Sequence, residues 1–178
     1  MKFNIKIKGL APLLFNRFPD EDNADGKSGS KKRKPTKDEQ VQASMYFDEN
    51  GKVYQPAEHF VGAMVKASTS FKLEGKKTYK DLVKGSLFIE PMKIVHKKQK
   101  YVADWRSVVI PSTRGRVMKG RGRMDDWELE FQMICIDPRA NKQDIVEMLT
   151  YAGNYIGVGD YRPRYGRFTV VSCEEVEE

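Results

Sequence analysis

Cysteine and histidine are scarce in this sequence. The two cysteines, Cys135 and Cys173, stand far apart with no C-x-x-C pair, and the two histidines, His59 and His96, are isolated from them and from each other. That spacing gives a zinc site almost no support and points to two reduced thiols. No apolar run approaches the roughly 20 residues of a membrane-spanning helix, and no signal-peptide core follows Met1. The reading is a cytoplasmic protein with no membrane partner. The G-K-[ST] step of a phosphate-binding loop is missing, as is G-x-G-x-x-G between a strand and a helix. No cofactor is therefore expected.

Charge is what the chain has in quantity. Across 178 residues, 32 Lys and Arg stand against 25 Asp and Glu, giving a net charge of +7 and a pI near 9.3. A polyanionic partner suits that balance. Hydrophobic residues make up 39% and aromatics 11%, enough for one core, and the length suits a single domain with insertions.

The basic residues are clustered. Arg114, Arg116, Lys119, Arg121 and Arg123 fall within ten residues that contain no acid, and the glycines among them resist a helix. This stretch reads as a protruding hairpin or loop, and the lack of compensating acids favours nucleic-acid contact over a charged, disordered loop. Lys31, Lys32, Arg33 and Lys34 lie in a polar stretch, 19–40, read as a long surface loop. They suit either a nucleic-acid-binding segment or a solvated linker. In the same stretch Asp20, Glu21, Asp22 and Asp25 suit a solvated run better than a metal site.

A third basic cluster lies near the C-terminus, in Gly157-Val-Gly-Asp-Tyr-Arg-Pro-Arg-Tyr-Gly-Arg167. Ile145, Met148, Leu149, Ala152 and Ile156 recur before it at helical spacing, and the strand-forming residues 168–173 follow it. Gly157 and Gly159 are candidates for close backbone approach, leaving N–H groups free for phosphate. Arg162, Arg164 and Arg167 supply charge, and Tyr161 and Tyr165 supply faces for a base.

The remaining elements follow from periodicity. Phe3, Ile5 and Ile7 alternate with Lys6 and Lys8 in a half-buried strand. Asn50-Gly51 marks a hairpin. Pro56 suits the first turn of a helix over residues 57–70, in which Gly62 implies close packing against another backbone or a helix end presented to a ligand. Residues 87–95 read as one strand and 127–135 as another, and Asn141 caps the last helix, with Asp144 as its capping partner. A strand-helix-strand-strand-helix-strand order gives an α+β, ferredoxin-like (RRM-like) βαββαβ antiparallel sheet with two helices and long basic insertions at about 16–44 and 97–125. That topology sets the first strand beside the third core strand, Lys6 and Lys8 near Glu130 and Glu128, and the first strand between the two cysteines.

Two segments carry a family resemblance. Residues 50–63, Asn-Gly-Lys-Val-Tyr-Gln-Pro-Ala-Glu-His-Phe-Val-Gly-Ala, and the glycine loop 156–167 resemble motifs of the RAMP superfamily of CRISPR-associated RNA-binding proteins. The insertions resemble those of its crRNA-binding backbone subunit. The chain is short for such a subunit, and Ala57 stands where the family often has a small hydroxyl residue. The resemblance implies one domain over 1–178 that binds single-stranded or guide RNA and associates with itself or with other subunits. It also implies two alternatives: a metal-independent endoribonuclease with His59 as the catalytic candidate, or a phage or structural assembly protein reusing the fold. Whether the chain is an enzyme stays open on the sequence, with binding the favoured reading.

Overall fold

The computed structural model describes residues 1–18 and 35–176. Its centre is a four-stranded antiparallel sheet of β1 (Lys2–Gly9), β6 (Leu87–Glu90), β10 (Glu128–Cys135) and β11 (Phe168–Glu175), in the order β11-β1-β10-β6. Alternation decides which side chains go inward. Phe3, Ile5 and Ile7 of β1 and Leu129, Phe131, Met133 and Cys135 of β10 are buried on one face. Helices α2 (Ala57–Ser68) and α4 (Lys142–Tyr151) cover that face with Phe60, Met64, Ile145, Met148 and Leu149. The Phe60 and Phe131 rings meet at 4.9 Å.

The expected pairing of the first and third core strands is present. Lys6 stands opposite Glu130 and Lys8 opposite Glu128, and Lys6 Nζ lies 3.4 Å from Glu130 Oε1. Both cysteines are free. β1 pairs with β10 on one side and β11 on the other, separating them.

The insertions depart from the sequence reading in several places. The loop expected over 19–40 ends earlier, because Lys37–Ala43 forms α1 with a capping box between Thr36 and Glu39. Before it, Leu13–Leu14 forms the short strand β2. Asp48 to Gly51 makes the expected tight turn, bridged by Phe47 and Val53. Pro56 ends β3 (Tyr54–Pro56) and caps α2 from outside rather than sitting in its first turn. Gly62 is exposed with open space where a Cβ would stand, so no close backbone explains it. Between α2 and β6 lie strands β4 (Lys72–Glu74) and β5 (Lys77–Thr78) and helix α3 (Lys80–Ser86), none of them anticipated.

The single strand expected over 87–95 is two. β6 stays in the central sheet, and β7 (Lys93–Val95) turns away to pair with β3. Asn141 caps α4 as expected, its Oδ1 accepting from Asp144 N–H at 2.8 Å. The Asp144 carboxylate, however, takes the Asn141 side-chain amide and the Tyr79 hydroxyl rather than closing a capping box. No helix among the described residues is long and apolar enough to cross a membrane.

Candidate nucleic-acid interface

The basic stretch from Arg114 to Arg123 belongs to a regular hairpin, β8 (Val102–Val109) with β9 (Arg116–Met124). Its glycines have a packing reason. Gly120 lies opposite Trp105, and a Cβ there would meet Trp105 Cζ2 at 2.7 Å; one on Gly122 would meet Met45 Sδ at 2.1 Å. The missing side chains let Trp105 and Met45 lie across the strand. By the two-residue period, Lys119, Arg121 and Arg123 share the opposite face of β9. Arg106 and Asp104, cross-strand partners of Lys119 and Arg121, share it with them.

The five basic residues are not equivalent. Arg114 sits at the hairpin turn with φ 54, and Arg116 and Lys119 follow it; all three are exposed and have no carboxylate partner among the described residues. Arg121 is buried, its Nε 3.3 Å from Asp160 Oδ2 without hydrogen-bond geometry. Arg123 donates to Asp104 at 2.7 Å and to Asp125 at 2.8 Å. Asp104 is itself buried, and the guanidinium of Arg106, then that of Arg123, hold its carboxyl below the ordinary range. Arg123 therefore ties β9 to β8, Arg121 faces the glycine loop, and the open charge lies toward the hairpin tip.

The glycine loop begins where α4 passes into a π-helical turn, Ala152–Ile156, closed by Gly157 N–H donating to Ala152 O at 2.8 Å. Gly157, Gly159 and Gly166 all have positive φ. Their close contacts are internal. Val158 N–H donates to Gly166 O, Asp160 N–H to Leu14 O and Gly166 N–H to Pro12 O. A Cβ on Gly159 would stand 2.7 Å from Leu14 O, and one on Gly157 would stand 3.0 Å from the Gly166 carbonyl. The glycines thus fit the loop against itself and β2.

Val158 anchors the loop in the core, and Arg162, Arg164 and Arg167 are exposed. Tyr161 and Tyr165 are already engaged by the hairpin. Arg106 Cζ lies 5.3 Å from the Tyr161 ring centroid and 4.9 Å from that of Tyr165, and Arg121 Cζ lies 5.1 Å from Tyr161. Cation–π contact on this scale fixes two surfaces against each other. Arg106 was not among the sequence candidates; its alternation with Asp104 in a strand paired to β9 is the signal that marks it.

His59 does face the loop. It lines a pocket of about 220 Å³ with Tyr46, Gln55, Gly159, Asp160 and Arg162. Burial, then the charge of Arg162, lowers its pKa, so the ring is neutral near pH 7. The Gln55 side-chain amide meets its Nδ1 at 2.5 Å. His96, which the sequence sets among lysines, is buried between Phe15 and Trp127 with neither ring nitrogen hydrogen-bonded. The basic run 31–34 and the acids at 20–25 lie outside the described residues. Among the described residues no cluster of three metal-ligating side chains occurs.

No protein-family model and no curated protein matches the chain. The fold does match solved structures. One is a chain in the cryo-EM structure of the Type III-B Cmr-beta bound to cognate target RNA, with a TM-score of 0.57 at 10% identity. The match covers 97% of this chain and 59% of the other, so this chain spans a little over half the length of that neighbour and shares its fold.

Proposed function

We propose that the protein binds single-stranded RNA along a surface built by the hairpin tip and the glycine loop, as a subunit that holds a guide RNA backbone in a CRISPR-type ribonucleoprotein. The observation that carries this reading is the packing of the two basic segments into one unit. Arg106 and Arg121 of the hairpin lie on Tyr161 and Tyr165 of the loop. Arg114, Arg116 and Lys119 of the hairpin and Arg162, Arg164 and Arg167 of the loop remain exposed. Cations without carboxylate partners gain most from a phosphate chain, because binding releases its condensed counterions. The fold shared with a chain of the Cmr-beta structure bound to target RNA and the motif resemblance support the same reading. Association with further subunits belongs to it. The test is whether the purified protein carries RNA of discrete length, and whether it binds added single strands with a steep salt dependence. A protein free of RNA, and indifferent to it at low salt, would overturn the proposal.

Metal-independent RNA cleavage is the second reading, favoured by the neutral His59 beside Arg162 and Asp160 in one pocket. RNA of equal length from the wild type and from His59→Ala would remove the cleavage reading.

A further inference from the structure

The π-helical turn puts a tyrosine where the sequence shows no special feature. In this five-residue turn Tyr155 is 65% exposed, the largest exposure of any tyrosine or tryptophan among the described residues. The turn is held firmly, since a Cβ on Gly153 would meet Phe168 O at 2.3 Å, so the helix end lies directly against β11. Tyr151 packs against the Tyr155 ring at 4.9 Å between centroids and 44° between planes, and Tyr151 in turn meets Phe71 edge-on. Tyr155 is thus an exposed ring on a rigid mount, and π-turns of this kind recur at functional sites.

The ring borders a groove of about 620 Å³, lined also by Pro12, Asn154, Pro163, Arg164, Tyr165 and Arg167. The lining holds two exposed guanidiniums, two aromatic rings and one side-chain amide, and no carboxylate. Arg164 and Arg167 have no ion-pair partner among the described residues, and no cation lies over the Tyr155 ring there. Tyr161 and Tyr165, by contrast, already carry arginines on their faces. An open aromatic face beside unpaired cations is the arrangement that takes a base and its phosphate from a single strand.

We infer that this groove is a nucleobase-stacking subsite for single-stranded RNA, with one unpaired base on the Tyr155 ring and the adjoining phosphates on Arg164 and Arg167. The inference rests on the RNA-binding reading above and adds to it a site and a mode of contact. Stacking tolerates any base, because each presents a π-face, so the subsite contributes affinity without sequence preference. Asn154 adds a side-chain amide to the groove lining.

The experiment uses the full-length protein and a single-stranded RNA carrying 2-aminopurine, whose fluorescence falls when it stacks on an aromatic ring. Tyr155→Ala should weaken binding about 5- to 150-fold, the equivalent of 1–3 kcal/mol per stacked base at 1.4 kcal/mol per factor of ten. It should also abolish the quenching. The slope of log K against log salt should stay as in the wild type, since no charge is lost. Tyr155→Trp should keep affinity and quenching. The side chain is mostly exposed, so the melting temperature of each variant reports that the fold is intact. Wild-type affinity in Tyr155→Ala, or persistent quenching, would overturn the subsite while leaving the RNA-binding reading standing if the wild type still binds with a steep salt slope. A wild type that ignores RNA but binds an acidic polypeptide such as polyglutamate would overturn both and make the groove a protein-docking site.

Discussion

Neutralising the hairpin tip separates charges that are open from charges already spent on the fold. Of the five hairpin cations, Arg114, Arg116 and Lys119 are exposed without a carboxylate partner among the described residues, whereas Arg121 faces Asp160 and Arg123 is held by Asp104 and Asp125. Each phosphate neutralised on a single strand contributes about 0.7 to the slope of log K against log salt. Replacing the three open residues with glutamine should therefore lower the slope by about 2. Replacing all five should lower it little further, rather than by the roughly 3.5 that five equivalent contacts imply. Between 50 and 200 mM salt, a slope difference of about 2 makes the wild type lose roughly 20-fold more affinity than the triple variant. Fluorescence anisotropy with a labelled single-stranded RNA across that range reads this directly. A slope change under about 1 for the triple variant would refute the assignment. So would an equal change from Arg121→Gln with Arg123→Gln in a folded protein, because it would mean that the paired arginines also reach phosphate.

Other outcomes follow from the packing. Gly159→Val places a β-branched side chain at φ +79 against Leu14 O, so it should cost about 1–3 kcal/mol and lower the melting temperature; Arg162→Ala with Arg164→Ala should leave melting unchanged and weaken RNA binding. An unchanged melting temperature in Gly159→Val would mean that the loop does not rest on β2. Phe131→Ala should cost about 3–5 kcal/mol in chemical denaturation, since its ring is buried against Phe60, and a loss under about 1 would contradict that packing. His96 has its pKa lowered by burial from 6.5 to about 4. Between those values the unfolded chain binds a proton that the folded chain does not, so stability should fall as pH drops from about 6.5 to 4, by about 3 kcal/mol. His96→Phe should flatten the pH-stability curve in that window, and an unchanged curve would show that His96 is not its source.

Alternation and periodicity determine the central sheet from the sequence alone. Phe3, Ile5 and Ile7, then Leu129, Phe131, Met133 and Cys135, mark buried faces, and a one-residue slip would expose every one of them. The strand order, the Lys6–Glu130 pairing and the separation of the two cysteines follow from that pattern and the connections, as does the hairpin turn at Asn50-Gly51. The basic clusters are equally legible as clusters.

What each basic residue does was decided by tertiary contact. Arg121 and Lys119 lie two residues apart on one strand face and read alike. Asp160, nearly forty residues further on, makes one part of the interior and leaves the other open. The glycines of the loop signal backbone freedom in either reading, and only the position of Leu14 O shows that the freedom serves packing. His96 follows a strand-like run and precedes lysines; it is buried because β7 leaves the central sheet to pair with β3, a long-range choice that no local window contains. Tyr155 gives no signal at helical spacing, since the π-turn that exposes it depends on Gly153 meeting the backbone of β11. Local pattern records which residues can be inside, and the partner that makes a charge structural or available lies far away in the chain.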